Sequence, residues 1–441
     1  MRIKASVSSS TFKELFRLFI PVKVIRRWFK LLGPAKRRPP KVTGEELIMG
    51  LVFHVLAGAG TLAEHVGKLT GKTITDGALS QRRSALPWMI FEMILDSALT
   101  PKAQPKQHPD AFYQGLRLCG LDGSRFSVAN TPQIKASLTK AKTRRHKAAF
   151  AKVGVAVLVE LGLHNPIGAA VGPKDESEMV LARQLLDRLP EKSLLISDRY
   201  YGVPALLIEF REIHPEGQRE FLVRAKGNLK RCVLECYADG SALVEIRSAE
   251  KTMQVREITG RVRRGSGSWS EVRLWTSLLD WKKYPAGELL ALYARRWEQE
   301  SFYRELKVDL RSSPLVQSHT PLTAAQEIAA LIIAYAVLVE ERIKAAKVGD
   351  VAVLRISFLK TLEAIRGLWH FLEVTHDLLD ARGLRLAVRR TMRQIAEMAL
   401  PKRRQRSCPR ALRQPVSSWP RLLKNSSINA TPDYNLIPVR P

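Results

Sequence analysis

Cysteine is scarce, with four in 441 residues (Cys119, Cys232, Cys236 and Cys408), which excludes a disulfide scaffold and suits a reducing compartment. Cys232 and Cys236 stand at C-x3-C spacing with no second Cys or His pair at zinc spacing, so they read as strand residues. The nine histidines are scattered, and none pairs with a cysteine or serine motif. There is no glycine-rich phosphate loop, which argues against nucleotide hydrolysis. Long apolar runs are missing too. The longest, Ile328–Val339, is fenced by Glu327 and by Glu340 and Glu341, and falls short of the roughly 20 residues a membrane-spanning helix needs. The N-terminus has no h-region, since Arg17 and Pro21 interrupt its apolar stretch. Acidic residues are few: 42 Asp and Glu stand against 72 Lys and Arg.

That imbalance gives a formal net charge of +30. A chain so basic repels itself and attracts polyanions at long range, so DNA or RNA in the cytoplasm is the expected partner. An apolar fraction of 45% excludes intrinsic disorder. The length, roughly three typical domains, predicts several domains.

Residues 1–100 read as helical. Thr43 and Glu46 form a capping-box pattern ahead of an apolar run, Leu47–Leu56. Thr75–Leu86 predicts a short helix presenting Arg82 and Arg83. It fits a DNA-reading helix-turn-helix and equally an ordinary surface helix. Beyond a proline-bearing linker, Leu116–Leu121 predicts a strand ending at Asp122-Gly123, followed by a second short extended run, Arg125–Ala129. Lys135–Lys147, with Arg144 and Arg145, has no acidic residue and fits phosphate contact or a solvated loop. Val153–Leu161, Ile167–Val171 and Ser193–Ser197 predict strands separated by a helix over Ser177–Leu189, a mixed α/β sheet. From Phe221 to Leu279 alternating runs separated by glycines predict an inserted β-subdomain, after which helices return.

Asp122 and Asp198 each follow a predicted strand, a rigid place to hold a ligand, although Asp-Gly is also a routine turn signal. Leu289–Leu310 predicts one helix, in which Tyr293, Arg296, Glu300 and Lys307 at spacings of 3, 4 and 7 share a face. A carboxylate between a phenol, a guanidinium and an ammonium suits holding a divalent metal while gripping phosphate, and also fits a solvated charged face. Three carboxylates from two strand ends and a helix form a recipe for hard Mg²⁺, with Mn²⁺ as a substitute.

The pattern Tyr293-x2-Arg296-x3-Glu300-x6-Lys307 resembles the signature of the insertion sequence 4 family of DDE transposases. Leu121-Asp122-Gly123-Ser124 and Ile196-Ser197-Asp198-Arg199-Tyr200 resemble that family's first and second Asp motifs. Ser124 departs from the threonine usual there and keeps the hydroxyl. The resemblance implies a ribonuclease H-like mixed sheet with an inserted β-subdomain, preceded by an all-α N-terminal DNA-binding domain. The resemblance covers roughly Leu116–Leu310, and composition and periodicity divide the chain into a helical region 1–100, a catalytic core at 110–215 and 285–380 around an insertion at 216–284, and a basic, partly disordered tail at 381–441. The resemblance also implies that Asp122, Asp198 and Glu300 bind two catalytic Mg²⁺ ions. Tyr293, Arg296 and Lys307 would contact phosphates of the transposon end. Trp269 or Trp275 would stack on a flipped base if a hairpin intermediate forms, though either also fits ordinary packing. The implied activity is cut-and-paste transposition on inverted-repeat ends and target DNA by a homodimer. The rival expectations are a metal-dependent nuclease on the same fold and a non-catalytic DNA-binding regulator.

Overall fold

The computed structural model of the chain describes residues 12–13, 16, 22–32, 40–141, 148–263, 269–311, 313, 315–375, 378–401 and 434–437. In chain order its helices are α1 (Val22–Leu32), α2 (Gly44–Ala57), α3 (Leu62–Thr70), α4 (Asp76–Ser84), α5 (Trp88–Ala98), α6 (Pro132–Ser137), α7 (Glu178–Arg183), α8 (Pro204–Ile213), α9 (Ala286–Leu292), α10 (Trp297–Arg304), α11 (Pro321–Gly349), α12 (Phe358–Thr375) and α13 (Ala381–Glu397). The strands are β1 (Phe112–Tyr113), β2 (Leu116–Ser127), β3 (Lys152–Glu160), β4 (Asn165–Gly172), β5 (Ser193–Ser197), β6 (Arg219–Arg224), β7 (Cys232–Cys236), β8 (Ala242–Ser248), β9 (Lys251–Arg263), β10 (Trp269–Thr276) and β11 (Tyr434–Ile437). Two compact units result: one of residues 1–112, 121–188 and 298–400, the other of residues 113–120, 189–297 and 401–441.

In the first unit the strand order is β4-β3-β2, with β3 and β4 antiparallel through Val155 opposite Val171. Threonine caps begin the helices. Thr43 with Glu46 and Thr61 with Glu64 form reciprocal capping boxes, and Thr75 caps α4. The core is organised by α11, which is apolar on almost every side and therefore has to be buried. This 29-residue helix is long and apolar enough to cross a membrane, but it is mostly buried inside the unit, as a core helix is. Among its neighbours are α2, α5, α12 and α13. Residues 1–112 thus pack in one unit with 121–188 and 298–400 rather than apart from them.

The second unit carries β2-β5-β6-β10-β9-β8-β7. β5 and β6 run parallel, with Ile196 opposite Leu222, and the pairs β6–β10, β10–β9, β9–β8 and β8–β7 are antiparallel. β11 pairs with β9 through Tyr434 opposite Val262. The fold is the mixed α/β one expected, with antiparallel strands β7–β10 inserted after β6. A buried guanidinium ties the insertion together: Arg256 is wholly buried, donates to Ser241 Oγ at 2.7 Å and Tyr284 O at 2.6 Å, and pairs with Asp239 at 2.5 Å.

Four expectations need correction. β2 is one unbroken twelve-residue strand, so Asp122 lies within it rather than at its end. Asp122-Gly123 makes no turn here, and the backbone stays extended. Leu289–Leu310 is not one regular helix: a 3₁₀ turn occupies Tyr293–Arg296 and a π turn Glu305–Asp309. The widened π turn seats Glu305 among buried partners, described below. Ala381–Glu397, counted with the tail, is a 17-residue helix capped by Asp380. Finally, β6 belongs in parallel register with β5, although it was counted with the insertion.

Two predictions concern stability. His65 Nε2 meets the Ala59 carbonyl at 3.1 Å and its Nδ1 meets His54 Nδ1 at 2.8 Å. A carbonyl only accepts, so His65 carries its proton on Nε2 and accepts from His54. Burial, then the neighbouring His54, lower the His65 pKa to about 4. The unfolded chain therefore binds this proton first, and stability should fall as pH drops from about 6.5 towards 4. Thermal melting against pH should show that slope, and His65→Leu should flatten it. Separately, Arg342 pairs with Glu305 at 3.4 Å, both side chains buried, so Glu305→Ala or Arg342→Ala leaves a buried charge unpaired and should cost about 3–5 kcal/mol in urea unfolding.

Candidate functional site

In the first unit the site is built on β2. The Gly123 N–H donates to Asp122 Oδ1 at 2.9 Å, which fixes that carboxylate against its own strand. The Tyr303 hydroxyl, from α10, donates to the Asp122 carbonyl at 2.7 Å. This phenol is buried and its pKa lies well above the usual value. Burial is the main cause, followed by the negative charges of Asp122, Glu178 and Glu300. Three carboxylates from a strand, α7 and α10 therefore act on one buried hydroxyl, with Glu300 itself exposed.

Glu178 was not anticipated from the sequence. It packs so closely on Gly123 that a Cβ at that position would come within 2.2 Å of Glu178 Cγ. Glycine in the Asp-Gly pair is thus required by contact with a neighbouring side chain, not by a turn. A glycine directly after the expected ligand, inside a long strand, was the one available signal.

Lys307 is held beside the same strand. Its ammonium donates to Ser124 Oγ at 2.5 Å and to the Arg125 carbonyl at 2.8 Å, and stands 4.9 Å from the Phe126 ring. The hydroxyl of Ser124 thus has a defined partner in the expected signature lysine. Asp122 and Lys307 are brought to one strand, while Glu300 acts on it through the charge it exerts on Tyr303.

In the second unit Asp198 directly follows β5. It starts a tight turn in which Tyr200 N–H donates to Asp198 Oδ1 at 2.7 Å and Tyr201 N–H to its carbonyl at 3.2 Å. Next to it lies a recess of about 360 Å³ lined by Arg199, Arg224, Ala225, Lys226, Gly227 and Asn228. Arg224 and Lys226 were not singled out from the sequence, where they read as one basic strand end among many. Gly202 permits this turn: a Cβ there would lie 2.0 Å from the Arg224 carbonyl oxygen. Tyr293 and Arg296 occupy the 3₁₀ turn of this unit, both half-buried.

The remaining expected residues separate clearly. Trp275 is fully buried, and its indole N–H donates to Glu257 Oε2 at 2.9 Å, so it is a packing residue. Trp269 is 43% exposed and is the tryptophan of the two that presents a ring. Arg83 is bound inside the protein, donating to Ser318 Oγ and the Thr323 carbonyl, both at 3.0 Å, and so fastens α4 to the start of α11. Arg82 is half-buried on the same helix. Arg144 and Arg145 lie outside the described residues.

The carboxylates offer only oxygen donors, the donor type that hard Mg²⁺ and Mn²⁺ take. Among the described residues no three His, Cys, Asp or Glu side chains already converge closely enough to hold an ion. The donor chemistry fits such a cation.

The model of the family described as "Transposase DDE domain" matches residues 114–337. The chain is 25% identical over 337 residues to the transposase InsG for insertion sequence element IS4 of Escherichia coli K12, covering 72% of each protein. It is 22% identical over 205 residues to the putative transposase InsZ of the same organism, covering 45% of this chain and 68% of that one. A cryo-EM structure of a piggyBac transposase synaptic complex with hairpin DNA aligns with 91% of this chain and 86% of that one. The identity there is 12% and the TM-score 0.41, a likeness too slight to build on.

The packing of Glu178 on Gly123 gives a direct test. Gly123→Ala should displace the Glu178 side chain and lower the melting temperature by a few degrees, since forced overpacking costs about 1–3 kcal/mol. Gly123→Ala combined with Glu178→Ala should recover most of that loss. Equal melting temperatures for the single and double variants would show that the contact is not there.

Proposed function

Because the chain belongs to the transposase DDE domain family, and within it to the insertion sequence 4 type, we propose that it binds the inverted-repeat ends of its own element. It would cleave them by hydrolysis and join the freed 3′-hydroxyl ends to target DNA by cut-and-paste. The observation carrying this reading is the arrangement on β2. Asp122 is anchored by its own strand and by Tyr303, with Glu300 supplied from α10 and Lys307 fixed to Ser124 beside it.

Each residue would act in a defined way. Asp122, Asp198 and Glu300 would hold the divalent ions, Mg²⁺ or Mn²⁺, that the family uses. When bound, such ions supply charge stabilisation at phosphorus and a more acidic attacking water. Lys307 is already oriented by two oxygen acceptors, so its charge can meet a phosphate oxygen with little loss of side-chain freedom. Tyr293 and Arg296 would grip neighbouring phosphates, the guanidinium in bidentate fashion. Arg199, Arg224 and Lys226 concentrate positive charge beside Asp198, where a backbone phosphate fits the recess. Trp269, exposed on β10, is the residue to stack on an unpaired base should excision pass through a hairpin. Arg82 and the basic segment carrying Arg144 and Arg145 would add sequence-independent phosphate contacts. Joining two ends in one event calls for at least two copies of the chain, so a homodimer on paired ends is part of the proposal.

Duplexes carrying the inverted repeats should be nicked at the repeat ends with Mg²⁺ or Mn²⁺ and not with chelator. Asp122→Asn, Asp198→Asn and Glu300→Gln should each reduce cleavage at least about 10³-fold while leaving end binding intact. Nicking without strand transfer into a second duplex would favour a nuclease on this fold. Binding without cleavage in either metal, by the unaltered chain, would favour a regulator and sink the proposal.

A further inference from the structure

α13 carries Arg382, Arg385, Arg389 and Arg393 at spacings of 3, 4 and 4, which set them along one helical face, with Arg390 at its flank. All five are exposed, while Met392, Ile395 and Ala396 are the residues this helix buries. The helix is held on α11 and α12, and Asp380 caps it through the Gly383 N–H at 2.7 Å. Its geometry is therefore fixed by the fold. Among the described residues none of the five guanidinium groups takes part in an ion pair or a hydrogen bond. Within the helix Glu397, at its last residue, is the one acidic side chain. This contrasts with Arg83, Arg256 and Arg342, whose guanidinium groups are taken up by internal acceptors.

Five cations without a partner among the described residues repel each other along one rigid face, and an outside polyanion relieves that. We infer that this face docks duplex DNA through its phosphates, without reading sequence, and that the DNA it takes is target DNA rather than the element's own ends. From Arg382 to Arg393 the face extends about 16 Å at a rise of ~1.5 Å per residue, close to five base pairs at ~3.4 Å each. That matches two or three successive phosphates on each groove edge. A helix presenting arginines to phosphates gives affinity without sequence preference, which is what capture of arbitrary target DNA requires. The inference rests on the proposed transposase activity and adds a surface outside the candidate site.

The test uses the full chain with Arg385, Arg389 and Arg393 all changed to Gln, and a second variant with the same three changed to Lys. Binding is followed by fluorescence anisotropy on a random-sequence duplex and on an inverted-repeat duplex, from 50 to 300 mM salt. The Gln variant should bind the random duplex about 10- to 100-fold more weakly at ~100 mM salt. Its log–log salt slope should be shallower by about 2.7, or 0.9 for each of three lost phosphate contacts. The Lys variant should keep most of the slope, and a melting temperature matching the unaltered chain confirms folding. End cleavage by the Gln variant should persist while strand transfer into the random duplex falls. An unchanged slope and affinity on random DNA would overturn the inference and leave the transposase reading standing. A loss confined to the inverted-repeat duplex, or a loss of binding only to phosphatidylglycerol vesicles run alongside, would equally overturn it. Failure of the unaltered chain to bind either duplex would instead remove the transposase reading itself.

Discussion

The segment bearing Glu300 is held in place by one buried carboxylate. Glu305 lies in the π turn and takes a hydrogen bond from Tyr335 Oη at 2.5 Å. It also meets His164 Nδ1 at 3.0 Å and Arg342 at 3.4 Å. Burial alone would raise its pKa. The charges of His164 and Arg342, with the hydrogen bonds from His164 and Tyr335, outweigh that and bring it down to about 2. The carboxylate is thus ionised in the folded chain from about pH 2 upward, and the stability it confers is complete above its ordinary value near 4.5. Arg342 in turn donates to the Ile356 carbonyl at 2.7 Å, so one charge joins the π turn, the core helix α11 and the approach to α12.

The other end of α10 is fastened by the same hairpin. Glu298 accepts the Gly162 N–H at 2.5 Å, and His164 two residues on reaches Glu305. The β3–β4 turn therefore grips the helical segment on both sides of Glu300. Gly162 and His164 both have positive φ, +87° and 56° respectively. For His164 that is a strained choice, costing of the order of 1 kcal/mol, which its bond to Glu305 offsets. The π turn begins at Glu305, whose carbonyl accepts the Leu310 N–H at 3.0 Å, and within it Lys307 reaches Ser124.

This explains what could be read in the sequence and what could not. Threonine caps at Thr43, the strands at Val153–Leu161 and Ser193–Ser197, and the inserted strands follow local rules of side-chain chemistry and periodicity, so they were legible. The Tyr293-to-Lys307 pattern was legible as residue types, but its assignment to one regular helix was not. Periodicity assumes 3.6 residues per turn, while Glu305's partners lie thirty and 37 residues away at Tyr335 and Arg342. Asp122-Gly123 was misread as a turn for the same reason: the need for glycine comes from Glu178, over fifty residues on. Trp275 was ambiguous in sequence because only its cross-strand partner Glu257, opposite it in the β9–β10 register, shows that the indole N–H is satisfied within the sheet.

Net charge is the clearest case of a global quantity that does not distribute itself. An excess of thirty positive charges implies a polyanionic partner, yet gives no way to tell arginines that meet it from those that build the protein. The structure separates them by one criterion, the presence of an internal acceptor. Arg83 looked like a DNA-reading residue on an exposed helix, but it spends its donors on Ser318 and Thr323. Arg256 is buried outright among Asp239, Ser241 and Tyr284. Guanidinium groups so engaged would have to break good hydrogen bonds before contacting phosphate, at a cost comparable to what the contact returns. Among the described residues those of α13 have nothing to break, and association with a phosphate backbone gains the full effect of counterion release. The arginines of α13, on a rigid support and without an internal acceptor among the described residues, are therefore the ones that can meet phosphate at no such cost.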